Sequence, residues 1–322
     1  MAMKSARFWL AAPAAAVLSV SALAQAIDFS SIEIRTDKIA PNLYMLSGSA
    51  GLDPAHEDAA GGRIGVLAGP DGIFMVDAQY AQLGDKVLAA VRRISPEQIR
   101  FLVNTHIHRD HTAGDAKFAK LGATIFAREE LRDQMVNPRS VNGNTPATFD
   151  PAGFPVVTYG IGGPLKLHMN GEVVDLIPIR AAHTGGDTSI LFEHANVMMI
   201  GDYYRNFGYP FIDINNGGSL KGMLEALDAT MKIAGADTRL VPGHGTIINR
   251  TDLIPYRDMI LALQASVRQL IAQGKTRQEV LAAHVTGPFD SKVPGGLLPA
   301  GPDGTSADRF IGEMYQELKS AR

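Results

Sequence analysis

The sequence predicts an α/β fold, and three observations carry that prediction. Short apolar runs bounded by Gly, Pro and Asp alternate with segments whose apolar residues recur at helical spacing. A histidine or an acid follows soon after four of those runs, at Val103, Ile179, Ile200 and Val241, as when the strand ends of a rigid scaffold present a site. The chain has 322 residues, 46% of them hydrophobic, enough for one large α/β domain with a substantial core or for two small ones.

The elements follow in order. Lys4 and Arg7, then the alanine-rich apolar run Phe8 to Leu23, read as a secretory signal over residues 1–26, with small residues allowing cleavage after Ala24 or Ala26. That run is shorter than the roughly 20 residues a helix needs to span hydrocarbon. The expected location is periplasmic or secreted, and losing Lys4 and Arg7 takes the net charge from −3 to −5. Ile27 to Ala40 is a polar lead-in without a period. Leu43 to Leu46, Ile64 to Leu67 and Ile73 to Val76 read as strands, the last two joined by the turn Gly69-Pro70-Asp71-Gly72. Leu83 to Ile94 is helical, Phe101 to Val103 a strand, Thr112 to Leu121 helical, Thr124 to Phe126 a strand and Arg128 to Met135 helical. Asn137 to Gly163, rich in Pro, Gly, Asn and Thr, reads as a long irregular loop and a candidate wall of a substrate site. Strands follow at Val173 to Ile179, Ser189 to Phe192 and Val197 to Ile200, then a helix from Leu220 to Ile233 and a strand from Thr238 to Val241. From Asp252 onward the chain is mostly helical (Pro255 to Gln273, Arg277 to His284, Asp308 to Leu318), broken by the Gly/Pro-rich stretch Gly287 to Gly304.

Composition removes several functions. The chain has no cysteine, which excludes disulfides, thiolate nucleophiles and cysteine metal ligands. Any soft-metal chemistry must then use imidazole and carboxylate. A net charge of −3 supplies no concentrated positive field for nucleic acid or an anionic membrane. The expected partner is a small-molecule substrate, with no membrane contact once the signal is gone.

The strongest chemical signal is His106-Ile107-His108-Arg109-Asp110-His111, four potential ligands in six residues directly after a strand. On a turn these splay into two groups, His106 with His108 and Asp110 with His111. Packed imidazoles beside a carboxylate gain little unless a cation organises them. His183 precedes Thr184-Gly185-Gly186-Asp187, Asp202 follows Gly201, and His244 stands between two glycines. Each alone reads as a turn residue; together they fill out two coordination sets.

Thr105 through Gly114 resembles the HxHxDH signature of the metallo-β-lactamase superfamily, and His183, Asp202 and His244 match its later ligand positions in order. The resemblance implies an αββα sandwich with the site at one edge, as residues 27–251, followed by a C-terminal helical extension over 252–322. It implies that His106, His108 and His183 bind a first cation, that Asp110, His111 and His244 bind a second, and that Asp202 bridges them. Asp202 stands where one β-lactamase subclass needs cysteine, and so resembles the glyoxalase II, lactonase and phosphodiesterase branches. The stretch Gly201 to Asn206 with Tyr209-Pro210-Phe211-Ile212-Asp213 is unlike glyoxalase II and is more similar to exported hydrolases of uncertain substrate.

The expected chemistry is that of a two-zinc hydrolase, the donors also suiting iron or manganese, with a hydroxide held between the cations. Its expected substrates are esters, thioesters, lactones or β-lactams, with Asp110 orienting the nucleophile or taking its proton. Tyr203 or Tyr204 would donate a hydrogen bond to a developing oxyanion. Asp77 supports the ligands or caps a helix; Asp187 orients His183 or closes a turn; Arg109 pairs with a surface acid; His56, His168, His194 and His284 are structural. One alternative is a mononuclear iron persulfide-dioxygenase-like oxidoreductase, which would leave His111 and His244 unused. Another is a non-catalytic binding protein, disfavoured because all seven ligands are kept. The C-terminal helices cap the site or form a homodimer interface; the sequence leaves both open.

Overall fold

The computed structural model describes residues 27–48, 61–138, 148–301 and 304–320. The expected signal and His56 lie outside them. The described residues build the four-layer αββα sandwich that the resemblance implied.

The first sheet is seven-stranded, with strands in sequence order: β1 (Ile34–Lys38), β2 (Leu43–Gly48), β3 (Ile64–Gly69), β4 (Gly72–Val76), β5 (Ile99–Val103), β6 (Thr124–Arg128) and β7 (Val157–Tyr159). β1 to β4 pair antiparallel; β4 to β7 pair parallel. The parallel part has crossover segments: α1 (Gly84–Ile94) between β4 and β5, then the short α2 (Arg109–Thr112) and α3 (Asp115–Lys120) between β5 and β6, and α4 (Glu129–Val136) after β6. The second sheet has five strands in the order β12-β11-β10-β9-β8: β8 (Leu165–Met169), β9 (Glu172–Pro178), β10 (Thr188–Phe192), β11 (Val197–Gly201) and β12 (Arg239–Pro242). α5 (Leu220–Ile233) connects β11 to β12, which pair parallel. α6 (Leu253–Ala272), α7 (Arg277–Ala282), α8 (Gly287–Asp290) and α9 (Ser306–Ser320) follow.

Three cores separate the layers. Leu67, Phe74 and Val103 of one sheet meet Leu176, Phe192 and Val241 of the other. Val87 and Val91 of α1 and Phe118 of α3 pack on the outer face of the first sheet. On the far side, Met198 and Ile200 of β11 share one core with Leu227 of α5, Ile260 of α6 and Phe310 of α9. The extension therefore packs as part of the outer helical layer. Every residue of β4 and of β11 is buried, since each strand is covered on both faces. Both strands deliver their next residue, Asp77 and Asp202, to the same rim.

Two expectations need correction. The helix expected from Thr112 to Leu121 is α2 and α3, broken at Ala113 and Gly114; a Cβ on Gly114 would lie 2.1 Å from the Ala78 carbonyl oxygen, so the backbones approach too closely for a side chain. Part of the expected loop Asn137 to Gly163 is ordered as a 3-10 turn at Pro151–Gly153 and as β7, which pairs with β6.

Candidate metal centre

The site forms where β4, β5, β9, β11 and β12 end. His106, His108, Asp110 and His111 follow β5, His183 lies in the turn between β9 and β10, and Asp202 and His244 follow β11 and β12. The structure brings the seven expected side chains into two sets. Potential ligand atoms of His106, His108, His183 and Asp202 lie within 4.8 Å of one another, as do those of Asp110, His111 and His244. Asp202 joins the sets. Its Oδ2 is 3.8 Å from Nε2 of both His106 and His183 and 3.4 Å from His244 Nε2, and its Oδ1 is 3.5 Å from His111 Nε2. Asp110 Oδ2 lies 2.9 Å from His244 Nε2 and 3.6 Å from His111 Nε2.

For four of these imidazoles one nitrogen faces the site and the other is held from behind. Asp77 is the centre of this support. It sits on a left-handed backbone, φ +61°, with its carboxylate buried. That carboxylate accepts from the Thr105 N–H, the Thr105 hydroxyl and His111 Nδ1, each at 2.7 Å. Thr105 Oγ1 gives its proton to Asp77 and so accepts from His106 Nδ1 at 3.0 Å. His183 Nδ1 donates to the Phe211 carbonyl at 2.8 Å, and His108 Nε2 to Asp213 Oδ2 at 2.8 Å. His106, His111 and His183 are thereby left to bind through Nε2 and His108 through Nδ1, the outer-layer arrangement typical of metal histidines. Two glycines make room: a Cβ on Gly62 would fall 2.2 Å from the His111 ring, and one on Gly243 would fall 2.0 Å from Asp202 Oδ1.

Charge follows this layout. Burial holds His183 down at about 3, helped by His108, and burial with the crowd of neighbouring imidazoles holds His106 well below its usual range. Burial also opposes charge on His111, yet Asp110, Asp202 and Asp77 overcome it and push that imidazole up to about 10. His244 is raised against burial by Asp202 and Asp110, and His108 against burial by Asp213. His111 and His244 depress the Asp110 carboxyl despite its burial.

The buried atoms His106 Nε2, His111 Nε2 and Asp202 Oδ1 have no hydrogen-bond partner. Leaving such groups unmet costs about 1–3 kcal/mol each, so the donor set fits cations. The imidazole and carboxylate donors suit zinc.

Other expectations resolve as follows. Tyr203 is corrected: its ring lies in the core with α5 and its hydroxyl bonds to Ser189 (2.7 Å) and Thr230 (2.8 Å), so the chain's alternation at the end of β11 turns it away from the centre that Asp202 enters. Tyr204 packs on Tyr256, ring centroids 4.7 Å apart. Asp77 holds Thr105 and His111 and caps no helix. Asp187 closes the turn around His183, accepting from the Ala182 and Thr184 amides. Arg109 is exposed and donates to the Thr148 carbonyl, where an acid had been expected. His168 and His194 lie on the surface, and His284 pairs with Asp290. Sequence reasoning missed Asp213, Phe211 and Thr105. The string Tyr209 to Asp213 was visible as unusual, but nothing local ties Asp213 to a histidine 105 positions away.

Comparisons with known proteins agree with this geometry. The family model described as the metallo-beta-lactamase superfamily matches residues 60–244, more than half of the chain. A segment of 85 residues is 35% identical to the linear primary-alkylsulfatase of Pseudomonas sp. (strain ATCC 19151), covering 24% of this chain and 16% of that protein. Among solved structures, the stereoselective inverting sec-alkylsulfatase from Pseudomonas sp. superposes with a TM-score of 0.65 at 20% identity, over 88% of this chain and 50% of that one. The chain thus spans about half the length of that enzyme. The metallo-beta-lactamase from Pontibacter korlensis superposes with a TM-score of 0.58 at 13% identity, over 71% of this chain and 99% of that one.

Proposed function

The chain belongs to the metallo-β-lactamase superfamily, and from that premise we propose that it is a dinuclear, zinc-dependent hydrolase of an ester-type bond. The observation that carries the proposal is Asp202, whose two oxygens lie between two complete donor sets. A persulfide-oxidising site with one iron would have no use for the second set, and here Asp110, His111 and His244 converge. His106, His108 and His183 would hold one cation, Asp110, His111 and His244 the other, and Asp202 both. Two such cations supply Lewis acidity and a water whose pKa is brought down to about 7.

The chain's own residues do the rest. Asp77, Asp213, Thr105 and the Phe211 carbonyl fix which nitrogen of each imidazole faces inward. Asp110 reaches the mouth of the site with its side chain 17% exposed and Oδ2 turned inward, placed to orient a nucleophilic water and take its proton. Tyr203 is turned into the core and Tyr204 packs on Tyr256, so neither takes the oxyanion role and polarisation of the substrate falls to the cations. The substrate classes are carboxylic esters, thioesters, lactones and β-lactams. A second reading, sulfate esters, is favoured by the two alkylsulfatases to which the chain is similar. We further propose that residues 1–26 direct the chain out of the cytoplasm and that residues 252–322 complete the domain.

The test is a parallel assay of metal-analysed protein on carboxylic ester, thioester, lactone, β-lactam and sulfate ester probes. The proposal expects turnover of at least one class, lost with a chelator and restored by zinc. Fully metallated protein that hydrolyses none of them overturns it.

A further inference from the structure

Resting on the dinuclear reading above, we propose that α9, at the far end of the chain, is a positioning element of the metal centre. Glu313 and Arg309 clamp the segment that fixes His108 and His183. Between β11 and α5 the backbone runs from Asp202 to Ser219 with only a 3-10 turn at Ile214–Asn216. Such a segment has no ladder to hold it, so its position is set by what its backbone groups bond to. Three of its amides donate to the C-terminal part of the chain: Gly208 to the Pro294 carbonyl at 2.7 Å, Tyr209 to Ser306 Oγ at 2.7 Å and Ile212 to Glu313 Oε2 at 3.0 Å.

The same segment is the rear wall of the first donor set. The Phe211 carbonyl accepts from His183 and the Asp213 carboxylate from His108, on either side of the amide that Glu313 holds. The Phe211 ring stacks on His108 with an interplanar angle of 16° and meets His183 edge-on. The Arg309 guanidinium carbon sits 4.2 Å from the centre of that ring, and Arg309 Nε lies 3.8 Å from Glu313 Oε1. A chain of contacts therefore runs from α9 through Ile212 and Phe211 to two imidazoles of one set. These contacts reach the two imidazoles that Phe211 and Asp213 hold, His183 and His108. Glu317, one turn further along α9, supplies an internal control: its carboxylate accepts from the Leu220 and Lys221 amides and so docks the helix on the start of α5.

The experiment uses the full chain, stripped of metal and titrated with Co2+ against a chromophoric chelator, with the cobalt d–d spectrum recorded. Wild type should take up two ions. Glu313→Ala should weaken one of them about tenfold, the lower end for loss of an outer-layer partner, and change its spectrum while the other stays as in wild type. Glu313→Gln keeps an acceptor for Ile212 and should recover most of the loss; Glu317→Ala should bind both ions as wild type does. Should Glu313→Ala fail to fold, Arg309→Met must show the same one-ion loss. Two unaltered ions in the folded Glu313→Ala or Arg309→Met protein overturn the clamp, as does an equal loss in Glu317→Ala. A wild type that takes up no ion instead sinks the dinuclear reading.

Discussion

Replacing Asp77 by Asn separates the role of one proton from the role of the fold. Asp77 occupies the left-handed region, φ +61°, which asparagine enters at least as readily, so the backbone need not move. The new side chain still offers one oxygen to the Thr105 amide. Its NH2 group then faces Thr105 Oγ1, which can accept from it and still accept from His106 Nδ1, and His111 Nδ1, from which the carboxylate had accepted a hydrogen bond at 2.7 Å. Two donors cannot meet there. His111 must place its proton on Nε2, the atom that now lies buried without a partner 3.5 Å from Asp202 Oδ1, and it can no longer bind a cation. Loss of an outer-layer partner costs about 10- to 100-fold in metal affinity, or about 1.4–2.7 kcal/mol. Competitive zinc titration of the variant should give one ion bound as in wild type and one weakened by that factor. Two unaltered ions, or equal weakening of both, would refute the tautomer argument.

The protonation pattern makes a second prediction. His111 holds its proton up to about 10 and His244 is raised as well, so cations compete with protons there, whereas His106 and His183 are already neutral. Affinity at the His111 set should therefore rise with pH, with protons released on binding at neutral pH; calorimetry giving the same heat in buffers of different ionisation enthalpy would contradict this. Burial pushes the Asp187 carboxyl up to about 6. A raised acid stabilises the fold at low pH and loses that contribution as pH rises through its folded value, here by about 1 kcal/mol between about pH 5 and pH 7. In metal-free protein the stability of Asp187→Asn relative to wild type should improve over that window, and a constant difference would count against it. Tyr203→Phe removes a hydroxyl bonded to Ser189 and Thr230; it should cost about 1–2 kcal/mol of stability and leave kcat unchanged, and a large fall in kcat would restore Tyr203 to the reaction.

Much of the fold was legible because its signals are local. α5 was expected at Leu220 to Ile233 and is found there, where the Ser219 side chain caps it by accepting from the Gly222 amide. The buried strands β3, β4 and β11 announce themselves as unbroken apolar runs. The strands missed were edges: β1 reads Ile-Arg-Thr-Asp-Lys, four polar residues in succession, β7 has only three residues, and β8 reads Leu-Lys-Leu-His-Met, polar on alternate residues, with pairing supplied by neighbours rather than by pattern. The seven converging side chains were legible because four share one short turn. Their supports were not, because Asp77 with His111 and Asp213 with His108 are distant in sequence, and a lone aspartate looks the same in a turn as behind a metal histidine. Tyr203 shows the converse error: nearness to Asp202 in sequence suggested chemistry, but adjacent residues at a strand end point to opposite faces.

Anomalous diffraction at the zinc edge, from crystals of zinc-loaded protein, shows whether a pair of cations shares Asp202. Two peaks about 3.5–4 Å apart are expected, one among His106, His108 and His183 and one among Asp110, His111 and His244, with Asp202 between them. A single peak, or peaks away from Asp202, would contradict it.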